Sequence, residues 1–177
     1  MSRRAIACAA VAALLLAGAA ARAQQPSADH AARPAIAPSP SFTIGGAVQH
    51  PRTLALPDLQ KEAATTQTVF YVTGRGTVSA RFTGVLLWTL LNAADVADDP
   101  AVKNARLRRT VVVTAADGYS VALSLGELDP AYGAAQALIA YAQDGKPLGP
   151  SGVARLILPA DKDGGRNVAR IASIEVR

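Results

Sequence analysis

Apolar and polar positions alternate with a period of two over most of residues 42–177, and that period predicts strands. Phe42-Thr43-Ile44-Gly45-Gly46-Ala47-Val48 forms the first and ends at the turn signal His50-Pro51. Thr53 to Leu56 is a short strand, and Pro57 to Lys61 starts one or two helical turns, since proline suits a first helical position. Thr66 to Val72 is β-branched and aromatic; Gly74-Arg75-Gly76 turns it into Thr77 to Phe82, which makes a hairpin. Leucine-rich Val85 to Ala94 contains no breaker and reads as a largely buried helix opened by Thr83-Gly84. Thr110 to Thr114 and Ser120 to Leu123 form a second hairpin through Asp117-Gly118. A short helix at Leu125 to Leu128 precedes the strand Ala137 to Tyr141, the turn Asp144 to Pro147, and two last strands, Ala154 to Leu158 and Ile171 to Val176. Strands joined by short turns with a few brief helices describe an α+β domain, mostly β, built on a mixed, curved or barrel-like sheet.

The first residues follow another pattern. Arg3 and Arg4, an apolar run from Ala5 to Ala20 and then Ala21-Arg22-Ala23 make a secretory leader, with cleavage expected before Gln24 and a periplasmic or secreted destination. The run is shorter than the roughly 20 apolar residues that cross a bilayer, and no later stretch approaches that length. Ser2-Arg3-Arg4-Ala5-Ile6 faintly resembles a twin-arginine signal, but an ordinary basic head explains it better. Residues 24–41 mix Pro, Ala, Ser and Gln without a period and read as a flexible linker.

Losing the leader changes the charge and the chemistry. Of 18 basic residues, Arg3, Arg4 and Arg22 leave with it, so 15 face 13 acids and the mature balance is +2, which argues against a nucleic-acid partner. Cys8, the only cysteine, lies inside the leader. The mature chain therefore has no disulfide, no zinc-thiolate cluster and no thiolate nucleophile. His30 in the linker and His50 before a proline are ordinary solvated histidines, and no H-x-x-x-H, G-x-S-x-G or S-x-x-K motif occurs. Gly74-x-Gly76 lies between strands, which suits a hairpin turn rather than a dinucleotide loop. Asp161-x-Asp163-Gly164-Gly165 starts like a calcium loop, but Ala172 stands where the closing glutamate belongs. No catalytic or metal-ligating residue is expected.

What remains is a set of polar groups on turns. Arg75, Arg81, Lys146, Lys162 and Arg166 are cationic, and Tyr71, Asp117, Tyr119 and Asn167 accompany them. Should those turns meet at one end of the sheet, guanidinium forks and glycine-exposed amides would suit a small anion; otherwise they are charges kept for solubility.

Several stretches in order resemble the molybdopterin-binding oxidoreductase domain of the sulfite oxidase family. They are Thr43-Ile44-Gly45-Gly46 with Leu56-Pro57-Asp58-Leu59, then Phe82-Thr83-Gly84-Val85-Leu86-Leu87-Trp88-Thr89-Leu90-Leu91-Asn92-Ala93-Ala94, then Asp117-Gly118-Tyr119. Leu138 to Tyr141, Asp144-Gly145-Lys146-Pro147-Leu148 and Ala154-Arg155-Leu156-Ile157-Leu158-Pro159 complete the series. The resemblance implies the sulfite-oxidase molybdopterin-domain fold and a site near Tyr71, Arg75, Asp117, Tyr119, Lys162 and Arg166. It also implies a molybdenum-ligating cysteine, yet the matching stretch Thr68-Val69-Phe70-Tyr71-Val72-Thr73-Gly74 has none, and a phenol is too hard a donor to replace a thiolate. The family's histidine-glycine is replaced around Ser151-Gly152, and its glycine loop with basic residues persists loosely as Gly164-Gly165-Arg166-Asn167 and Arg170. The expectation is thus an exported relative without thiolate-held molybdenum that binds a small anion or a partner protein. Molybdopterin enters only through the resemblance; a molybdopterin-dependent oxidoreductase and a structural or interaction module are the alternatives.

Overall fold

The computed structural model describes residues 39–177. The expected leader, Cys8, His30 and all of the linker up to residue 38 lie outside the described residues. Ser41, assigned above to the linker, already belongs to the first strand.

Among the described residues, ten strands divide between two five-stranded sheets. The first runs in the order β2 (Arg52–Ala55), β1 (Ser41–Gly46), β10 (Ile171–Val176), β5 (Thr110–Ala115), β6 (Ser120–Ser124). It is mixed: β1 and β10 are parallel, with Thr43 beside Ser173, and the other pairs are antiparallel. The second runs β3 (Thr65–Thr73), β4 (Gly76–Leu86), β7 (Leu138–Gln143), whose far edge carries both β8 (Lys146–Pro147) and β9 (Arg155–Ile157). Short helices α1 (Leu56–Leu59), α2 (Leu87–Ala94) and α3 (Leu125–Leu128) connect them.

Turn chemistry places the hairpins where the sequence put them. Asp144 and Gly145 both have positive φ, 50° and 77°, the backbone of a tight primed turn whose twist matches its strands. Between β5 and β6, Gly118 has φ 82° and the Asp117 carboxylate accepts the Tyr119 amide at 3.1 Å.

One apolar cluster joins Phe42, Ile44, Val111, Val113, Ile174 and Val176 of the first sheet to Val85, Ile139 and Leu156 of the second, with Leu87, Leu90, Leu91 and Ala94 of α2 among them. Each such leucine contributes about 2 kcal/mol by leaving water. Val69, Tyr71, Ala80, Phe82, Leu138, Ala140 and Ile157 make a smaller cluster on the other face of the second sheet. With Leu138 and Ala140 on one face and Ile139 on the other, β7 is buried on both sides, which explains its unbroken apolar run.

The helix expected from Val85 starts later. Val85 and Leu86 finish β4, paired with Ile139 and Leu138, and the helical backbone begins at Leu87, whose amide donates to Ala137 O at 2.8 Å. Gly84 is no helix opener. A Cβ there would lie 2.2 Å from the Ile139 carbonyl oxygen, so glycine is what lets β4 approach β7 at the register shift beside Thr83. Strand pairing in the core outweighs the modest helical preference of leucine.

Candidate functional site

Between β9 and β10 the chain runs through Asp161 to Asn167, with a single 3₁₀ turn at Gly164–Arg166. Asp163 caps that turn, its carboxylate accepting the Gly165 amide at 2.9 Å. This loop is the meeting point of several of the polar residues singled out above, though not of Arg75, Arg81 or Lys146.

It is tied first to β3. The Val72 amide donates to Lys162 O at 2.9 Å, and Val72 forms a parallel bridge with Asp163. Gly164 lies against the Tyr71 ring so closely that a Cβ would stand 2.7 Å from Cδ2. Tyr71 is only 4% exposed, and its hydroxyl accepts from Arg155 Nη2 at 3.1 Å; the same guanidinium lies 5.6 Å above the Phe82 ring. Tyr71 is therefore an anchored core residue. The loop is tied second to the β5–β6 turn: the Tyr119 hydroxyl donates to Gly165 O, and Arg170 Nη2 pairs with Asp117 at 3.4 Å.

The third tie is ionic. Arg166 grips Asp161 with Nε and Nη2 at 2.8 and 2.7 Å, and its Nη1 reaches Glu127 at 3.2 Å. The Asp161 hydrogen bonds, reinforced by the two nearby charges, hold the Arg166 guanidinium above its ordinary pKa. A cavity of about 480 Å³ opens beside this triad, walled also by Gln136, Ala137 and Leu158. Two carboxylates face one guanidinium there, so the wall carries about one net negative charge, and Arg166 is not an uncompensated anion ligand.

Five of the six expected site residues, Tyr71, Asp117, Tyr119, Lys162 and Arg166, thus converge on the segment from Gly164 to Arg170 or on the loop's contacts with it. Arg75 does not join them. It stands at the β3–β4 turn with its side chain exposed, and its amide donates to Thr73 Oγ1 at 3.2 Å. Arg81 and the Asp144 turn pair at the opposite edge of β4, where the Arg81 amide donates to the Asp144 carboxylate at 2.9 Å.

Sequence reasoning missed the partners. Glu127 had a signal, because Ser124-Leu125-Gly126-Glu127 is a helix-capping box, and both of its bonds are made. Arg155 opens the short strand β9, and Asp161 had been set aside with a failed calcium motif, so neither stood out. Among the described residues four buried donor atoms have no acceptor: Arg106 Nε and, along the segment from β9 to β10, Arg155 Nε, Asn167 Nδ2 and Arg170 Nε. Asn167 Oδ1 is occupied by the Leu158 amide at 2.9 Å, which leaves its nitrogen as the group to be satisfied.

The family model described as "Oxidoreductase molybdopterin binding domain" matches residues 30–177. This chain belongs to that family. A solved relative of the family's fold is the sulfane dehydrogenase SoxCD from Paracoccus pantotrophus, which superposes with a TM-score of 0.62 at 19% identity. The likeness covers 77% of this chain but only 37% of that one, and it supports the α+β, mostly β sulfite-oxidase molybdopterin-domain fold. No curated protein matches the chain in sequence.

The described residues do not fit a thiolate-held molybdenum. They include no cysteine, and among them no three His, Cys, Asp or Glu side chains are grouped so as to hold a metal ion. In the stretch the family resemblance points to, the phenol oxygen Tyr71 Oη is buried and already hydrogen-bonded, and Thr73 Oγ1 donates to Gly76 O. No redox step through a metal follows from these residues.

Proposed function

We propose that this protein is an exported member of the molybdopterin-binding oxidoreductase domain family that holds no thiolate-ligated molybdenum and binds a small oxyanion beside the Arg155–Arg170 segment. Export rests on the leader-like residues 1–23 and their small-residue cleavage pattern. The observation that carries the binding reading is that three of the four buried donors without acceptors among the described residues, Arg155 Nε, Asn167 Nδ2 and Arg170 Nε, lie on this one segment. Every one is an N–H group, two belong to permanent cations, and a buried donor left unsatisfied costs about 1–3 kcal/mol. An oxyanion admitted by a shift of the adjoining 161–167 loop would supply acceptors to them and relieve that cost. Lys162 and the Gly164–Gly165 backbone lie on the adjoining loop.

Calorimetric titration with sulfate and with phosphate tests the reading. Binding is expected in the wild type and at least about tenfold weaker in Arg170→Gln, which removes a charged donor. Arg81→Gln, on the face of the second sheet turned away from Tyr71 and Phe82, should bind normally. Equal binding in wild type and Arg170→Gln, or none in either, contradicts the assignment.

The family match itself favours a second reading, a molybdopterin-dependent oxidoreductase whose metal takes no sulfur from this domain. Metal content separates the two.

A further inference from the structure

We propose that β3 is a self-pairing edge, through which two copies of this chain join their second sheets into one continuous sheet about a two-fold axis. The strand order places β3 at the end of its sheet. Its Val72 amide points away from β4, to Lys162 O, and backbone direction alternates with a period of two. The amides and carbonyls of Thr66, Thr68 and Phe70 therefore face the same way. Pairing with the 161–167 loop stops at the Val72–Asp163 bridge, so among the described residues this stretch of edge has no backbone partner.

Bare edges are ordinarily blunted by lysine, proline or a bulge. Here none of these is present: residues 63–74 contain no charge and no proline, and the β3–β4 register is unbroken from Thr65–Gly84 to Thr73–Gly76. The face beside the edge is apolar as well, with Phe70 64% exposed and Val72 51% exposed.

Charge selects a second copy as the occupant. A charged partner strand finds no counter-charge on residues 63–74, whereas an antiparallel copy brings no like charges opposite each other. Centred on Thr68, the pairing sets Thr68 against Thr68 and Phe70 against Thr66 of the other copy, so each ring covers a threonine methyl. The nearest cation on that face, Arg81, pairs with Thr68 from the inner side. Two such arginines would stand three strand spacings apart, about 14 Å, beyond the roughly 8 Å over which charges act at physiological salt. The two-fold arrangement is isologous, so it consumes both β3 edges at once.

The test uses the full chain. A hydrogen-bonded antiparallel pair has Cα atoms about 5.5 Å apart, within disulfide range. With Cys8→Ser in the background, Thr68→Cys should form an interchain disulfide spontaneously in air. Thr66→Cys, displaced by about 13 Å from its own symmetry mate, should stay unlinked. Wild-type chain should run as a dimer in light scattering, and Phe70→Lys should weaken it at least about tenfold. A wild type that remains monomeric at about 100 µM, or Thr66→Cys linking as readily as Thr68→Cys, overturns the proposal; a dimer that Phe70→Lys leaves intact uses another surface and overturns it too.

Discussion

At Arg166 the same side chain can be read as ligand or as strut, and its neighbours decide between them. Its three nitrogens serve Asp161 and Glu127 and so pin the 161–167 loop to α3. Asp161→Ala should lower stability by about 1 kcal/mol, since the fork is bidentate yet half exposed, and thermal unfolding should show a fall of about 3–5 °C. Gly164 is a sharper case. Gly164→Ala pushes a methyl into the buried Tyr71 ring and should cost about 1–3 kcal/mol, read as a lower denaturant midpoint with unchanged slope. The sequence pointed to both positions through the glycine-rich run, but it could not say that the run turns inward. Burial of Tyr71 and the choice of Asp161 over a free anion depend on contacts across the fold that no local spacing encodes.

Among the elements, the strands and hairpins were legible because local signals agreed: alternation, Asp-Gly turns and β-branched runs all pointed one way. The start of α2 was not. Val85-Leu86 carries a helix-compatible pattern, and only the pairing with Ile139 and Leu138 makes it strand. Gly84→Ala should therefore break the β4–β7 approach, with a loss of more than about 3 kcal/mol in chemical denaturation, although alanine is the better helix former. In α1, Asp58 accepts the Ala55 amide at 3.1 Å and pairs with Lys61 at 3.2 Å. The backbone hydrogen bond first, then Lys61, hold its carboxyl below the ordinary value. A depressed folded pKa means that its stabilisation is complete above the unfolded value and is lost as pH falls through the folded one. The stability gap between wild type and Asp58→Asn should accordingly be present at neutral pH and close below about pH 4.

For the whole molecule, alternation and turns gave an α+β, mostly β domain, and the resemblance of short stretches in family order placed the specific fold, in line with the domain match over residues 30–177. Function was less legible, because a site is chemistry added to a fold. The second sheet offers a clear contrast: its buried positions are set by the hydrophobic pattern, while the outer strand turns uncharged Thr66, Thr68, Phe70 and Val72 to solvent. The account depends most on one absence in the donor set, a thiolate in residues 24–177. Elemental analysis of the exported protein, purified from a host that makes the cofactor, tests it directly. The account predicts molybdenum far below one atom per chain and no reducible metal signal. One tightly held, reducible molybdenum per chain would contradict it.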